Sequence, residues 1–350
     1  MNVQIKGCVM SQNVNYVVNA VILLSASALL GACGGGGGGG GGVSNVGISA
    51  SDPVAITPDN ATEVASATFE ATDGLTGNSE GVFGVLPASA GQLSAAQINV
   101  IKTIIQQAKR APLFLGNDGT GVAPAATQTS QENCENGANG SISGTFNDND
   151  NDLTLSTGDT VSMTANNCDF GGVIINGTIS ISNVVVSGDE FSPPYSMQFR
   201  MQATDFSVTV TGETVVMSGD GTISESNSDG FNVSSSVSGN GIQITAAGET
   251  LTLTDYAIVE TGNEATGEYA ISINATISSS SVGGSITVTT DVALSGIGSG
   301  DPSAGQVTCV GANNSSLTLT VVDSLNVQIE VDTDGIGGPD ETLSLAWTAL

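Results

Sequence analysis

Four carboxylates fall at positions one, three, five and twelve of a twelve-residue run: Asp148, Asp150, Asp152 and Asp159. Thr154 at position seven offers a backbone carbonyl, and Ser156 at position nine a hydroxyl. At this spacing alternate groups of a tight loop converge on one calcium ion. Two departures stand against a full EF-hand: Leu153 occupies the place of the sharp-turn glycine, and Asp159 is shorter than the usual bidentate glutamate. No helical pattern flanks the loop, so the expectation is a structural Ca2+ site of modest affinity rather than a sensor. The alternative is a solvated Asp-rich turn between strands. A second run, from Asp332 through Asp334 to Asp340, resembles a degenerate calcium turn in which Ile336 replaces an acid. There a plain polar hairpin turn is the simpler reading.

Other chemistry is narrowed by composition. The 350 residues include no histidine, which excludes Ser-His-Asp and Cys-His catalysis and removes the commonest zinc ligand. Carboxylate-pair hydrolysis needs no histidine. Sugar-cleaving sites, however, present aromatic platforms, and this chain has one Trp and four Tyr. A carboxylate-based hydrolase is therefore the second alternative, and the chain is expected not to be an enzyme. The acids number 34 against five cations. Such a surface repels nucleic acid and anionic headgroups, which argues against a nucleic-acid partner.

The elements that must hold these groups change character along the chain. Residues 52–133 read as helical and irregular. Thr57 is placed to cap a helix with Pro58 in its first turn, Val64, Ala65, Thr68 and Phe69 make one stripe, and Gly74 ends it. A second helix is expected from Ser94, with Ile98, Ile101, Ile105 and Ala108 on one face and Pro112 beyond its end. Its cations, Lys102, Lys109 and Arg110, suit the negative end of the helix dipole and an acidic neighbour. From 134 to 350 the period becomes two, clearest where Ile271, Ile273, Ala275 and Ile277 alternate with small polar residues. Phe206, Val208 and Val210 follow the same rule, as do Leu251 and Leu253. Glycines at 212, 248 and 284 recur every 36 residues, and one interval back lies Asn176, beside Gly177. This predicts a mainly β protein: a large antiparallel meander with strands of about a dozen residues, ~40 Å long. One-sided strands of that length must curl into a half-barrel or a closed barrel, with two helices ahead of them.

The first 33 residues contain one cation, Lys6, and no acid; an apolar run from Tyr16 ends in Leu30-Gly31-Ala32-Cys33. Nine glycines follow, Gly34 to Gly42. This leader resembles those of bacterial lipoproteins, whose pattern is Leu, two small residues, then Cys. The resemblance implies a signal peptide over 1–32, lipidation of Cys33, and a Gly-rich tether over 33–51. Gly34, rather than Asp, after the cysteine implies the outer membrane, on its periplasmic side or at the cell surface. Cleavage removes Lys6, so the remaining four cations against 34 acids leave a charge of −30. The tail, with Gly311-Ala312-Asn313, Asp332-Thr333-Asp334-Gly335 and Trp347, is similar to the C-terminal segments of proteobacterial lipoproteins. The block from Cys134 to Cys168 is similar to another of their segments. That family brings a fold and a compartment, and no activity.

In an oxidising envelope two of the three cysteines beyond Cys33 should pair. Cys134 and Cys168 bracket the acidic loop, and a bridge there would contribute roughly 3–4 kcal/mol. Cys309, on the same strand face as Val307, reads as a buried small hydrophobe, although its pairing with either other cysteine stays open. The function expected from these observations is a non-catalytic, lipid-anchored envelope protein whose curved sheet shelters an apolar ligand. The alternative is a surface-exposed, calcium-stabilised adhesion or scaffold module.

Overall fold

A computed structural model describes residues 48–76, 127–133, 140–150, 152, 155–169, 173–189, 192–210, 213–246, 248–298 and 300–350. One sheet runs in chain order through β1 (Thr127–Asn133), β2 (Ser141–Asn147), β3 (Thr160–Asp169), β4 (Val173–Asp189) and β5 (Ser192–Val210). It continues through β6 (Glu213–Asn227), β7 (Asn232–Ala246), β8 (Glu249–Asn263), β9 (Glu268–Ser279) and β10 (Gly284–Ile297). The last strands are β11 (Ala304–Val310), β12 (Ser316–Val321), β13 (Asn326–Asp332) and β14 (Glu341–Ala346). Each strand pairs only with its chain neighbours, so β1 and β14 are open edges. The expected antiparallel meander is present, and it is not a closed barrel. Its first strand starts at Thr127, seven residues ahead of the expected boundary at 134.

Strict alternation explains which face is buried. Along β9, Tyr269, Ile271, Ile273, Ala275 and Ile277 are all buried, as the period-two pattern requires. The long strands keep one apolar face over 12 to 19 residues only by inserting extra residues. In β5, Met197, Phe199, Met201 and Ala203 point inward, and beyond Asp205 the inward set becomes Phe206 and Val208. In β8 the same switch occurs at Asp255, from Leu251 and Leu253 to Tyr256 and Ile258. Asn167, Asp205 and Asp255 hold φ of 48°, 46° and 47° at these bulges. Asn and Asp tolerate the left-handed region better than other side-chain-bearing residues, and each such bulge bends its strand and adds twist.

The 36-residue spacing places two of its turns correctly, since Val210 pairs with Glu213 and Ala246 with Glu249 across two-residue connections. The third lies just before Gly284. Counting back fails. Asn176 and Gly177 lie inside β4, where Gly177 has φ 91° beside a register shift. A Cβ there would sit 2.2 Å from the Asp205 carbonyl oxygen, so the glycine marks a bulge rather than a turn.

One helix is present among the described residues, α1 (Ala61–Thr76), where two were expected; the second helix predicted between Ser94 and Pro112 lies outside the described residues. α1 starts four residues after Thr57. Asn60 takes the first helical bond, from Val64 N–H (2.9 Å), and its side-chain oxygen accepts Thr57 N–H (2.9 Å). Gly74 does not end the helix, which runs two residues further. The expected stripe is real: Val64, Ala65, Thr68 and Phe69 are all buried. α1 packs on β7, β8 and β9. Phe69 meets Trp347 edge-on at 4.9 Å, and Ser66 Oγ donates to the carbonyl of Leu350.

The segment before α1 is laced to the sheet. Val54 N–H donates to Ser285 O (3.0 Å), Ala312 N–H to Val54 O (2.8 Å) and Ile56 N–H to Ser315 Oγ (2.8 Å). A single apolar core then joins Ile56 and α1 to inner-face residues from Phe146 in β2 to Leu350 at the C-terminus. Burying one of its Phe or Ile side chains contributes about 1.5–3 kcal/mol.

Candidate functional site

The acidic loop after β2 is partly what its spacing implies. A carboxylate oxygen from each of Asp148, Asp150 and Asp152 lies within 4.8 Å of the others. Asp159, the twelfth position, does not join them. It is fully buried, with one oxygen accepting Asn149 N–H (2.8 Å) and the other Ser156 N–H (2.6 Å). Both oxygens therefore tie the two ends of the loop together, which is a structural task in place of the predicted ligand role. Ser156 Oγ, the position-nine hydroxyl, donates to Asp150 (2.9 Å). Thr154 and Leu153 lie outside the described residues.

The turn between β13 and β14 gathers the carboxylates of Asp332, Asp334 and Asp340 within the same 4.8 Å. One oxygen of each carboxylate accepts from the turn itself. Asp332 accepts Gly335 N–H (2.7 Å), Asp334 accepts Ile336 N–H (2.9 Å) and Asp340 accepts Thr333 N–H (2.9 Å). The Thr333 hydroxyl and N–H hold the Asp340 carboxyl below its ordinary value. These bonds build the turn from Asx turns.

The cysteines separate by role. Cys168 is buried and disulfide-bonded, whereas Cys309 is a free, buried thiol, which closes the alternative that the two pair with each other. Cys134 lies outside the described residues, as do Cys33 and the cations Lys102, Lys109 and Arg110. Cys309 Sγ lies 3.4 Å from Thr68 Oγ1 on α1, and burial pushes its thiol up to about 11. A thiol so shielded is not a nucleophile at neutral pH.

Two features of the inner face were not singled out in the sequence. The first is that every methionine after residue 33, Met163, Met197, Met201 and Met217, lies on β3, β5 or β6 and packs into the core. The second is a polar row crossing β6, β7 and β8. Glu225 pairs with Ser235, and Ser235 with Glu260, so the three side chains share one face. The neighbouring row, Ile223, Val237 and Ile258, is wholly apolar and buried. Glu260 itself is 1% exposed. Its inward aim follows from the switch at Asp255, so only a reader who placed that bulge could have found it.

Tyr269 stands beside this row. Its ring lies over Gly296, where a Cβ would be 2.5 Å from the phenol oxygen, and its hydroxyl donates to Gly300 O (2.7 Å). Burial first, then Asp301 and Glu260, push the phenol up to about 12. Arg200, the one cation among the described residues, is engaged with Asp220 at 2.8 Å. With this geometry established, comparison with known proteins adds no relative: the chain matches no protein-family model, no curated protein and no solved structure.

Proposed function

We propose that this chain is a non-catalytic, lipid-anchored protein of the bacterial outer membrane whose curled sheet binds an apolar ligand such as an acyl chain. Cys33 carries the lipid, residues 34–51 form the leash, and Cys134 is the disulfide partner of Cys168. The observation that carries the ligand reading is the clustering of four methionines on β3, β5 and β6, packed into the core. Unbranched thioether side chains adapt to irregular apolar partners, and Met-rich surfaces are used where a binding face must repack. The lack of any histidine supports the non-catalytic part of the reading.

The test is native mass spectrometry of the chain exported without Cys33 and purified free of detergent. An acyl-bearing molecule should co-purify, and replacing Met201 and Met217 by Ala should reduce its occupancy. A ligand-free protein with no uptake of added fatty acid or phospholipid would overturn the reading.

A second reading, a calcium-stabilised scaffold exposed at the surface, is favoured by the two carboxylate triads within 4.8 Å. Three like charges so close repel, and a divalent ion would relieve that. Chelation should then lower the melting temperature, and intact cells should expose the protein to biotinylation. An unchanged melting curve would remove this reading.

A further inference from the structure

We propose that Glu225, Ser235 and Glu260 form an inner-face binding site for a hard divalent cation of the calcium class, separate from both acidic turns. Three observations carry it. The register sets the three side chains in one line on adjacent strands, with Ser235 directly opposite each glutamate in turn. Directly opposed residues have Cβ atoms ~4.5–5.5 Å apart, so both carboxylates reach the space above the serine. Ser235 is 7% exposed, and its hydroxyl oxygen is shut from solvent with no hydrogen-bond partner. A buried hydroxyl left so costs about 1–3 kcal/mol, which a ligand oxygen-bonded there would recover. Asp301, in the connection after β10, likewise has a solvent-excluded carboxylate oxygen, Oδ1, without a hydrogen-bond partner. Asp301 follows Gly300, whose carbonyl accepts the Tyr269 hydroxyl (2.7 Å), and Tyr269 lies two residues along β9 from Ile271, which pairs with Glu260.

The chemistry of the donors selects the ion. Two carboxylates balance a charge of +2, and Ser235 adds a neutral oxygen. Calcium accepts six to eight oxygens in irregular geometry, so water can complete the shell. Magnesium demands near-ideal octahedral geometry and sheds water reluctantly, which fits a row of strand side chains poorly.

Terbium is the probe, because it replaces calcium and its emission is sensitised by a nearby tyrosine. The mature lipidated protein, held in detergent, should show saturable emission on tyrosine excitation, displaced by Ca2+. Glu260→Gln should weaken binding at least tenfold, and Asp150→Asn and Asp334→Asn should leave this signal unchanged. Tyr269→Phe should remove the sensitised emission while Ca2+ still raises the melting temperature. Should Glu260→Gln fail to fold, Ser235→Ala serves alone. It replaces an unpartnered hydroxyl by a methyl, so it should fold at least as well without Ca2+ and gain less from it. Emission that survives Glu260→Gln or Ser235→Ala at full affinity, or that disappears with Asp150→Asn or Asp334→Asn, overturns the proposal, as does the lack of any calcium-displaceable signal.

Discussion

The sheet has two halves that solve the same problem differently. In β12 and β13, Leu317, Leu319 and Val321 face Val331, Ile329 and Val327 in unbroken register, and alternation alone keeps them inside. These strands are six or seven residues long. In β3 to β10 the strands run 10 to 19 residues and the register breaks repeatedly. A strand twists as it lengthens, so a long one cannot hold an apolar face against one core without a correction. Short strands need none. The chain places Asn, Asp and Gly where corrections fall, and these positions carry the inward side chains to new parity.

The contrast is broken most severely at Gly177. Gly177→Ala combines a left-handed φ with backbone 2.2 Å from the new carbon, and should cost about 3 kcal/mol or more or prevent folding. Gly248 has φ 89° with nothing within 4 Å. Gly248→Ala should therefore cost only the conformational strain, about 1–2 kcal/mol. Urea unfolding of both variants measures the difference, and equal losses would show that close approach at the bulge is immaterial.

The short-strand half is probed through Cys309, where β11 meets α1. Its pKa rises from 9.0 to about 11 on folding. The unfolded thiol ionises first, so this contribution is complete below pH 9 and declines as pH rises towards 11. Wild type should lose about 2–3 kcal/mol relative to Cys309→Ala over that interval. Parallel stability–pH curves for the two proteins would contradict the burial assigned to the thiol.

The smallest effect belongs to Asp205. Its N–H donates to Ser218 Oγ (3.1 Å), and that hydroxyl donates back to the Asp205 carboxylate (3.3 Å). Asp205→Ala should cost about 1 kcal/mol through its positive φ, and Asp205→Gly no more than a few tenths. Thermal melts of the pair would sharpen the case for a bulge chosen by backbone conformation. A larger loss in the glycine variant would instead assign the stability to the side-chain bonds with Ser218.

Much of this was legible in the residues. The period of two along Ile271 to Ile277, the burial of Cys309 beside Val307, and the α1 stripe of Val64, Ala65, Thr68 and Phe69 are local properties that tertiary packing did not override. Asn60 displaced Thr57 at the helix start because its side chain turns back onto the Thr57 N–H and the Ala55 carbonyl. Asp159 looked like a ligand because spacing alone does not reveal which carboxylate meets its own loop's N–H groups first.

Alternation and turn residues determined that this chain is an antiparallel meander, because both depend on neighbours within a few residues. Whether the meander closes, which residue a bulge consumes, and that Glu225, Ser235 and Glu260 share one face were decided by tertiary structure alone. The physical reason is cumulative: each extra residue reverses every side chain beyond it, so orientation at one end of a strand depends on bulges set by contacts with its neighbours.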